Sequence, residues 1–526
     1  MQIETPNLNN YSEVKKQFLA SDWFHKDIIQ DSFPGTSLFR VYNERLKNIK
    51  GQEVIVAILD MSVDINHTYL QDHIWTNVKE IAGNNIDDDA NGYIDDIHGW
   101  NFLGNQQGEN LSYEQFEFTR IIKRYRRTIS VLNPSDSLIL QRANKAYISH
   151  TKYISERSEN INTVILNRKN AYHYLDSIFK GKEFKVKDLD SLKKVHPKDS
   201  ILQLEVLKMT NFINYNFTPK RNDSLKKHYE NYKNIMLNEN YPERDIIGDS
   251  LLHKLNNRYG NNNVSVSPNF LNHGTLVSGM LTTKYINTDS INVFKNIKIM
   301  PLRISAYGDE YDKDIALAIR YAVDNGARVI NMSFGKLFSI DKHWVDEAIK
   351  YAEDKGVLIV KSAGNERSNT DKEENTKYPN DYNDGIEFSN NVITVGGTSH
   401  KLNEKLLYYS TNYGEETVDI FAPGQHITTL YPHNGIVYGR NGTSYATPIV
   451  SGISALLFSH YPNLDASDVK KILLESGLSF NHLVNLPKNR GEETVQKPFN
   501  ELSKSGKLIN AYNAFLYAAK YQKNKH

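Results

Sequence analysis

Three residues at widely separated points of the chain are of the types that catalyse acyl transfer. Asp60 ends the apolar run 54–59, His273 stands before a Gly-Thr pair, and Ser444 comes just before the apolar segment 449–458. A serine hydroxyl becomes a good nucleophile when a neighbouring imidazole accepts its proton. The imidazole needs a carboxylate that fixes its tautomer and stabilises its charged form. The sequence therefore predicts Asp60, His273 and Ser444 as a catalytic triad.

Each of the three residues also has a plainer explanation when it is taken alone. An Asp at the end of a strand is commonly a turn or cap residue. A His before Gly-Thr is commonly an ordinary loop residue, and Ser444 could serve only as the N-cap of the following helix. That helix fits both interpretations, because its N-terminus also presents free backbone N–H groups to a developing oxyanion.

Short apolar runs rich in β-branched residues predict the buried strands that would position these side chains. The runs are residues 54–59, 297–304, 328–334, 357–360 and 392–395. Helical spacing is found at 312–325 and 342–355, each followed by a glycine that would end the helix. Continuous apolar strands alternating with helices predict an α/β fold, a parallel β-sheet flanked by helices on both faces. Ligands bind such sheets at the carboxyl ends of the strands, and the predicted ends include Asp60, Ser333, Gly364 and Asn365.

Residues 105–263 differ in composition from the rest of the chain. They are rich in Lys, Arg, Glu, Asn, Ser and Tyr, contain few Gly, and show helical spacing. About 160 residues are too many for a structureless loop in a compact domain, so we predict a helical insertion. Residues 1–50 are predicted as an N-terminal extension and 51–526 as the main domain that 105–263 interrupts. The charges of the insertion are most simply a solvated surface, and a role in limiting access to the site or recruiting substrate is the alternative.

The motifs around the three residues resemble those of a known family. Residues 57–64 (AILDMSVD), 272–279 (NHGTLVSG) and 441–448 (NGTSYATP), in this order, resemble the Asp, His and Ser motifs of the subtilisin-like serine proteases, the subtilases. Further segments are similar in type and order, namely 329–335, 362–366, 378–379, 392–397, 421–424 and 506–511. The resemblance covers residues 51–104 and 264–515 and leaves out the middle of the insertion. The agreement of all these segments in type and order makes a chance match very improbable.

The resemblance implies a serine endopeptidase, with roles for further residues. Asn365 would donate a hydrogen bond to the oxyanion, although Asn after Gly364 is also typical of a plain left-handed turn. Ser333, Phe334 and Gly335, together with Gly364, would bind the backbone of a peptide or protein substrate in extended form. Proteolysis would need no catalytic cofactor.

Four residues depart from the family pattern. Met61 and Ser62 stand where Ser or Thr and then Gly are usual, which alters the turn beside Asp60. Leu276 replaces a second His that has no chemical role, and Tyr445 follows the nucleophile where Met is frequent. Two alternatives to a general endopeptidase therefore stay open. One is a catalytically inactive, peptide-binding relative, and the other is a narrow-specificity protease that processes a leader or precursor.

The acidic segment 87–96 (DDDANGYIDD) is a separate signal. Oxygen ligands at alternate positions around a glycine turn suit a hard cation such as calcium, and subtilases often bind structural calcium. The predicted ligands are Asp87, Asp89, Asn91, Tyr93 and Asp95. The segment lacks the closing Glu of an EF-hand loop, and a solvated Asn-Gly turn is the plainer explanation. Residues 100–102 (WNF) are expected to pack the loop onto the core.

The bulk composition bounds the remaining possibilities. The 526 residues carry 63 Lys and Arg against 62 Asp and Glu, so charge gives no reason to expect a nucleic acid partner. The absence of cysteine excludes disulfides, a thiol nucleophile and thiolate metal sites. No apolar run is long enough for a membrane span. Residues 1–11 show no signal peptide. The family slightly favours an extracytoplasmic location, but the sequence leaves the compartment open.

Overall fold

The computed structural model describes residues 21–126, 132–215, 217–249, 259–267, 271–285, 292–489 and 491–525. The chain forms two compact units, one of residues 1–112 and 243–526 and the other of residues 113–242. The prediction about a signal peptide concerns residues 1–11, which lie outside the described residues. We refer to the first unit as the main unit and to the second as the helical unit.

Every strand found in the described ranges belongs to the main unit. In chain order they are β1 (Val54–Asp60), β2 (Trp100–Asn101), β3 (Ile297–Arg303), β4 (Ala327–Met332), β5 (Leu358–Ser362), β6 (Tyr382–Asn383), β7 (Ile386–Glu387), β8 (Val392–Thr398), β9 (Ile420–Pro423), β10 (Ile427–Tyr431), β11 (Gly435–Arg440), β12 (Leu478–Ser479), β13 (Leu483–Asn485), β14 (Gln496–Pro498) and β15 (Lys507–Leu508).

Nine of these strands form one sheet in the order β12-β15-β9-β8-β5-β4-β1-β3-β2. All neighbours pair in parallel except β12 and β15, which are antiparallel. Register places Asp60 of β1 opposite Arg303 of β3, and Met332 of β4 opposite Lys361 of β5. The carboxyl ends of β1, β4 and β5 therefore lie side by side at one edge of the sheet.

The helices of the main unit are α1 (Leu38–Val41), α7 (Glu243–Ile246), α8 (His273–Ser278), α9 (Asp312–Asp324), α10 (Lys342–Asp354), α11 (Thr443–His460), α12 (Ala466–Ser476) and α13 (Ala511–Lys525). Those of the helical unit are α2 (Glu117–Tyr125), α3 (Pro134–Phe179), α4 (Val186–Val195), α5 (Ser200–Asn214) and α6 (Pro219–Asn231).

The central strands are buried on both faces. Successive residues of β1 face opposite cores: Val56 and Ile58 lie in a core with α11, α12 and α13, while Ala57 and Leu59 lie in a core with α9 and α10. A strand that is covered on both sides needs a continuous apolar run, which is the pattern seen in the sequence. The predicted α/β fold, with helices on both faces of a parallel sheet, is confirmed.

The helical unit has a small core of its own. Residues of α3, α4 and α5 meet there, namely Ala171, Leu175, Leu189, Leu202, Val206 and Met209. Asn133 precedes the first residue of helix α3, and its side chain accepts a hydrogen bond from the Asp136 N–H (2.8 Å) and so caps the helix. Among the described residues, no helix combines the length and the apolar character that crossing a bilayer would require.

Two segments predicted as separate from the main domain pack within the main unit. Trp23 and Phe24 are fully buried in the same core as α11, although residues 1–50 were expected to be an extension. The helical unit is also shorter than the predicted insertion 105–263, because Leu111 and Tyr259 pack into the core on the α9 side of the sheet. Isolated aromatic residues in polar sequence show no periodicity, so long-range packing of this kind leaves little local signal.

Candidate active site

Asp60 and His273 form a hydrogen-bonded pair at the edge of the sheet. Asp60 is the last residue of β1 and is 2% exposed, and His273 is the first residue of α8. Nδ1 of His273 lies 2.7 Å from Oδ1 and 2.9 Å from Oδ2 of Asp60. A carboxylate in this position holds the proton on Nδ1 and leaves Nε2 free to accept another. Asp60 thereby fixes the tautomer that a general base requires.

Gly274 allows α8 to approach the residues after Asp60. A Cβ atom on Gly274 would lie 2.5 Å from the carbonyl oxygen of Met61 and 2.8 Å from that of Ser62. Both contacts are with backbone atoms, which cannot rotate away as a side chain would. Close packing therefore requires a glycine after His273. The turn beside Asp60 accommodates Met61 and Ser62.

Charge at the site favours the protonated form of His273. Burial lowers the pKa of its imidazole, but the Asp60 carboxylate and its hydrogen bond raise that pKa by more, and the result lies above the ordinary value. The Glu310 carboxylate adds to the increase, and the Arg440 guanidinium opposes it. Glu310 is itself buried, which raises its pKa to about 7, although the Ser305 hydroxyl donates to it at 2.7 Å.

Ser444 is the second residue of α11, where backbone N–H groups have no partner within the helix. Its hydroxyl donates to the carbonyl oxygen of Ser333 at 3.1 Å, and the Ser333 hydroxyl donates back to the Ser444 carbonyl at 3.0 Å. The next residue, Tyr445, has its ring centroid 6.5 Å from that of His273. Ser444 thus lies between the end of β4 and the start of α8.

The Ser444 hydroxyl does not hydrogen-bond to His273 in the part of the chain that the structure describes. A general base at this position would need Oγ to turn from Ser333 towards Nε2 of His273. Hydrogen bonds between catalytic groups are often long or unformed until substrate is bound. A serine side chain turns by rotation about a single bond between staggered positions, so the geometry permits this step.

Asn365 lies directly against the start of α11. Its Oδ1 accepts from the Thr443 N–H at 2.9 Å and from the Thr443 hydroxyl at 3.2 Å. This orientation uses the oxygen of the amide and leaves the two Nδ2 donors without a hydrogen bond among the described residues. The preceding Gly364 has φ +101°, a backbone conformation that glycine adopts without strain. Asn365 therefore follows a glycine with positive φ, as the plain turn predicts, and it also has free N–H donors next to Ser444.

Three of the four predicted substrate-binding residues, Ser333 to Gly335, lie just beyond β4, which ends at Met332 and not at Phe334 as expected. The fourth, Gly364, lies two residues beyond the end of β5. Ser333 is buried and exchanges hydrogen bonds with Ser444. The Phe334 carbonyl accepts a hydrogen bond from the Ser362 hydroxyl (3.1 Å), and Gly335 is exposed. The next residue pairs with Tyr378 through two backbone hydrogen bonds of 2.9 Å. The segment therefore runs along the same edge of the sheet as the proposed triad.

Two buried residues support Ser333 and were missed in the sequence. The Asn331 side chain donates to the Ser333 hydroxyl at 3.0 Å, and Ser451 of α11 donates to Asn331 at 2.9 Å. Together they connect β4 to α11 beneath Ser444. Their only sequence signal is polar character inside two otherwise apolar runs, which is informative because buried polar groups need partners.

The acidic loop brings together two of the five predicted ligands and adds one that was missed. Carboxylate oxygens of Glu80, Asp87 and Asp89 lie within 4.8 Å of one another. Burial raises the pKa of Glu80, and the negative charges of Asp96 and Asp89 contribute to the increase. Three carboxylates at this spacing repel one another and match the oxygen ligands that a hard cation prefers.

The other three predicted ligands have different contacts. The Asn91 side-chain oxygen accepts from the Tyr93 N–H at 2.7 Å, and the Asp95 carboxylate accepts from backbone N–H groups at the start of the loop. The Tyr93 ring packs edge-on against Trp100, with the centroids 5.0 Å apart. Trp100 is 5% exposed, so the aromatic pair attaches the loop to the core.

Comparison with known proteins gives one family. The model of the subtilase family (Peptidase_S8) matches residues 51–499. A thermophilic serine proteinase of Bacillus sp. strain AK1 is 37% identical over 196 residues, which are 36% of this chain and 44% of that protein. Subtilisin DY of Bacillus licheniformis is 32% identical over 207 residues, which are 38% of this chain and 68% of that protein. The cell wall-associated protease of Bacillus subtilis strain 168 is 34% identical over 203 residues, and the match spans 20% of that larger protein.

Solved structures give matches of the same kind. A chain from the subtilase cytotoxin SubAB assembly is 25% identical, with a TM-score of 0.39 over 48% of this chain and 79% of that chain. The prenylagaramide maturation protease PagA is 26% identical, with a TM-score of 0.36 over 47% of this chain and 82% of that chain.

Proposed function

The chain belongs to the subtilase family of serine proteases, and on this premise we propose that it is an endopeptidase that cleaves peptide bonds through an acyl-enzyme at Ser444. The observation that carries the proposal is the hydrogen-bonded pair of Asp60 and His273, set beside Ser444 at the N-terminus of α11. Acyl transfer needs a carboxylate on one imidazole nitrogen and a serine hydroxyl that can reach the other, and Tyr445, the residue after Ser444, has its ring centroid 6.5 Å from that of His273.

The first half of the reaction forms the acyl-enzyme. Oγ of Ser444 attacks the scissile carbonyl carbon while its proton passes to Nε2 of His273, and Asp60 stabilises the resulting imidazolium. The carbonyl oxygen becomes an oxyanion that accepts hydrogen bonds from the Ser444 N–H and from Nδ2 of Asn365. His273 then donates its proton to the leaving amine, the C–N bond breaks, and the acyl group stays on Ser444.

The second half returns the enzyme to its starting state. A water molecule attacks the ester carbon as His273 accepts a proton from it, and the same donors stabilise the second oxyanion. The carboxylic acid leaves as the proton returns to Ser444. The peptide would lie in extended form along Ser333 to Gly335, of which Gly335 is exposed.

An internally quenched peptide library tests the proposal. The wild-type protein should cleave members of the library, and Ser444→Ala and His273→Ala should each reduce the rate by at least a thousandfold, because triad members act as a unit. Ser459→Ala removes a buried serine at the other end of α11 and should leave the rate within a few-fold. Equal rates in wild type and Ser444→Ala would reject the mechanism.

The breadth of cleavage separates the remaining alternatives. A folded wild-type protein that binds library peptides without cutting them would be the inactive, peptide-binding relative. Cleavage confined to one short sequence motif would identify a processing protease of narrow specificity. Cleavage of many unrelated peptides is the outcome expected of a general endopeptidase.

We propose further that Glu80, Asp87 and Asp89 hold a structural calcium ion. Binding of an ion to the folded state alone stabilises it by about 2.7 kcal/mol when the ion is at a hundred times its dissociation constant. Thermal unfolding should therefore occur at higher temperature in calcium than in a chelator, and Glu80→Gln should remove most of the difference. Asp354→Asn, at an exposed helix position, is the matched control. A midpoint that does not respond to calcium would contradict this assignment.

A further inference from the structure

A cavity of about 560 Å³ lies in the main unit beside the turn that carries Asn365. Ala363 lines it two residues before Asn365, and Tyr378 lines it on the other side. The backbone of Tyr378 pairs with Lys336, next to Gly335, through two hydrogen bonds of 2.9 Å. The cavity thus has walls from the turn of residues 362–366, which we call the oxyanion turn, and from the segment around Tyr378, which forms an isolated bridge with Lys336.

Lys361 lies in the wall of this cavity and is buried without a partner. It is the penultimate residue of β5 and is 3% exposed. Among the described residues, its ammonium group makes no hydrogen bond and no ion pair. Burial lowers its pKa to about 8, although the carboxylates of Asp381 and Asp419 act in the opposite direction. A buried ammonium group with no partner is costly unless something else satisfies it.

The nearest carboxylates are already engaged by other groups. Asp419 accepts a hydrogen bond from the Thr394 N–H at 2.7 Å, and its other oxygen lies 3.4 Å from the Lys504 ammonium group. Asp381 accepts from the Ser389 hydroxyl at 3.4 Å. Lys361 therefore has negative charge in its surroundings but no ligand in contact with it.

A second lysine of the cavity lies closer to the oxyanion turn. Lys377 is 8% exposed and pairs with Glu366 at 2.9 Å. Glu366 directly follows Asn365, its side chain is 49% exposed, and it also accepts from the Asn412 amide at 2.6 Å. The Glu366 carboxylate that pairs with Lys377 is thus about half exposed to solvent. It lies beside the expected position of an acyl group on Ser444.

The carboxylates that line the cavity itself lie in its outer part, whereas the buried Asp381 and Asp419 are near Lys361 but not in the lining. The Asp371 carboxylate accepts hydrogen bonds from the backbone N–H groups of residues 415–417. Glu373, Asp384 and Glu416 are exposed, where water screens their charge. Among the lining residues, Lys361 and Lys377 are the buried charges, and charges act more strongly where water is excluded. The inner part of the cavity therefore favours an anion.

We propose that this cavity receives the side chain of the residue whose carbonyl is attacked, and that Lys377 and Lys361 select glutamate or aspartate there. The inference rests on the proposed function and names the substrate class of that site. Ala363 and Glu366 lie within two residues of Asn365, so a substrate carbonyl held at Asn365 and Ser444 would bring its own side chain to this turn and to the cavity that Ala363 lines. A carboxylate entering the cavity meets Lys377 first and reaches towards Lys361.

Matched peptides that differ only at the residue before the cut test the inference. Glutamate and glutamine have nearly the same shape, so the ratio of their kcat/KM values isolates charge. We expect glutamate to be preferred at least tenfold by the wild type. The preference should disappear in Lys377→Met and fall in Lys361→Met, while the glutamine peptide is cleaved within about threefold of the wild-type rate. Lys372→Met, at an exposed position in the same loop, is the control and should keep the preference.

The pH dependence of the same ratio gives a second readout. The ratio should fall as pH rises through about 8, because Lys361 then loses its proton. His273 titrates equally for both peptides and cancels in the ratio. A thermal unfolding curve for each variant shows whether it is folded.

Three outcomes decide the matter. A wild type that cleaves the glutamate and glutamine peptides equally well, in a Ser444-dependent reaction, overturns the acid selection and leaves the proposed function intact. An undiminished preference in Lys377→Met overturns the role of the lysine. No Ser444-dependent cleavage of any peptide overturns the proposed function, and this inference with it.

Discussion

Substitutions of Asn365 can separate its contribution to oxyanion stabilisation from its contribution to the stability of the fold. The oxygen and the nitrogen of its side-chain amide have different partners. Oδ1 accepts from the Thr443 N–H and hydroxyl, and Nδ2 is the end that would donate to the oxyanion. Asn365→Asp keeps an oxygen that accepts from Thr443 and replaces the donor by a second acceptor. Asn365→Ala removes both.

The expected magnitudes follow from these contacts. Loss of one oxyanion donor costs about 10²–10³ in kcat, an effect known from subtilisin itself. Both variants should therefore lose about that factor in kcat, with KM within a few-fold, since the bond is made in the transition state. Thr443 is fully buried, so Asn365→Ala should also destabilise the fold by about 1–3 kcal/mol through the lost acceptor. Asn365→Asp should lose much less.

Steady-state kinetics on one good peptide and urea unfolding measure the two effects. Ser368→Ala, three residues along the same loop, is the control for general disturbance of the turn and should keep near wild-type kcat. The reasoning is refuted if Asn365→Asp retains more than a third of the wild-type kcat. It is also refuted if the loss appears in KM alone.

Three further predictions concern the triad and its support. First, kcat/KM should rise with pH, and the midpoint of the rise should lie above the ordinary histidine pKa, because the raised pKa of His273 keeps this base protonated at lower pH. Asp60→Asn should shift this midpoint to lower pH and reduce kcat by about 10⁴. Second, Gly274→Ala should lower both stability and kcat, because its Cβ would lie 2.5 Å from the Met61 carbonyl oxygen; a fully active, equally stable variant would contradict this packing. Third, Trp23→Ala should cost about 3–5 kcal/mol in urea unfolding, as expected for a fully buried aromatic residue; a change below about 1 kcal/mol would show that the N-terminal segment is dispensable.

The sheet could be predicted from the sequence because burial on both faces leaves a strong local pattern. The runs that form β1, β3, β4 and β5 are each predicted within one or two residues, and Asp60 is placed at the end of its strand. The run 392–395 predicts the start of β8 but ends three residues before the strand does. The strand ends were less accurate. Ser333 and Phe334 extend the apolar run of β4, but the chain leaves the sheet at Met332 to meet α11.

Features that depend on distant contacts left no such pattern. Trp23 is buried against segments more than 200 residues away, and its polar neighbours gave no periodicity. Glu80 precedes the acidic run by seven residues and joins Asp87 only when the loop folds back. Lys361 is a single charged residue in the apolar run of β5, and a functional interpretation of its charge requires the cavity that it lines.

The most direct test of the account is whether Ser444 is an activated nucleophile. A fluorophosphonate probe reacts with serine hydroxyls that a neighbouring base deprotonates, and mass spectrometry of the digested protein locates the adduct. We expect a single adduct on Ser444 in the wild type and none in His273→Ala, which retains the serine but lacks the base. An unlabelled Ser444 in the folded wild-type protein, with calcium present or absent, would contradict the catalytic assignment.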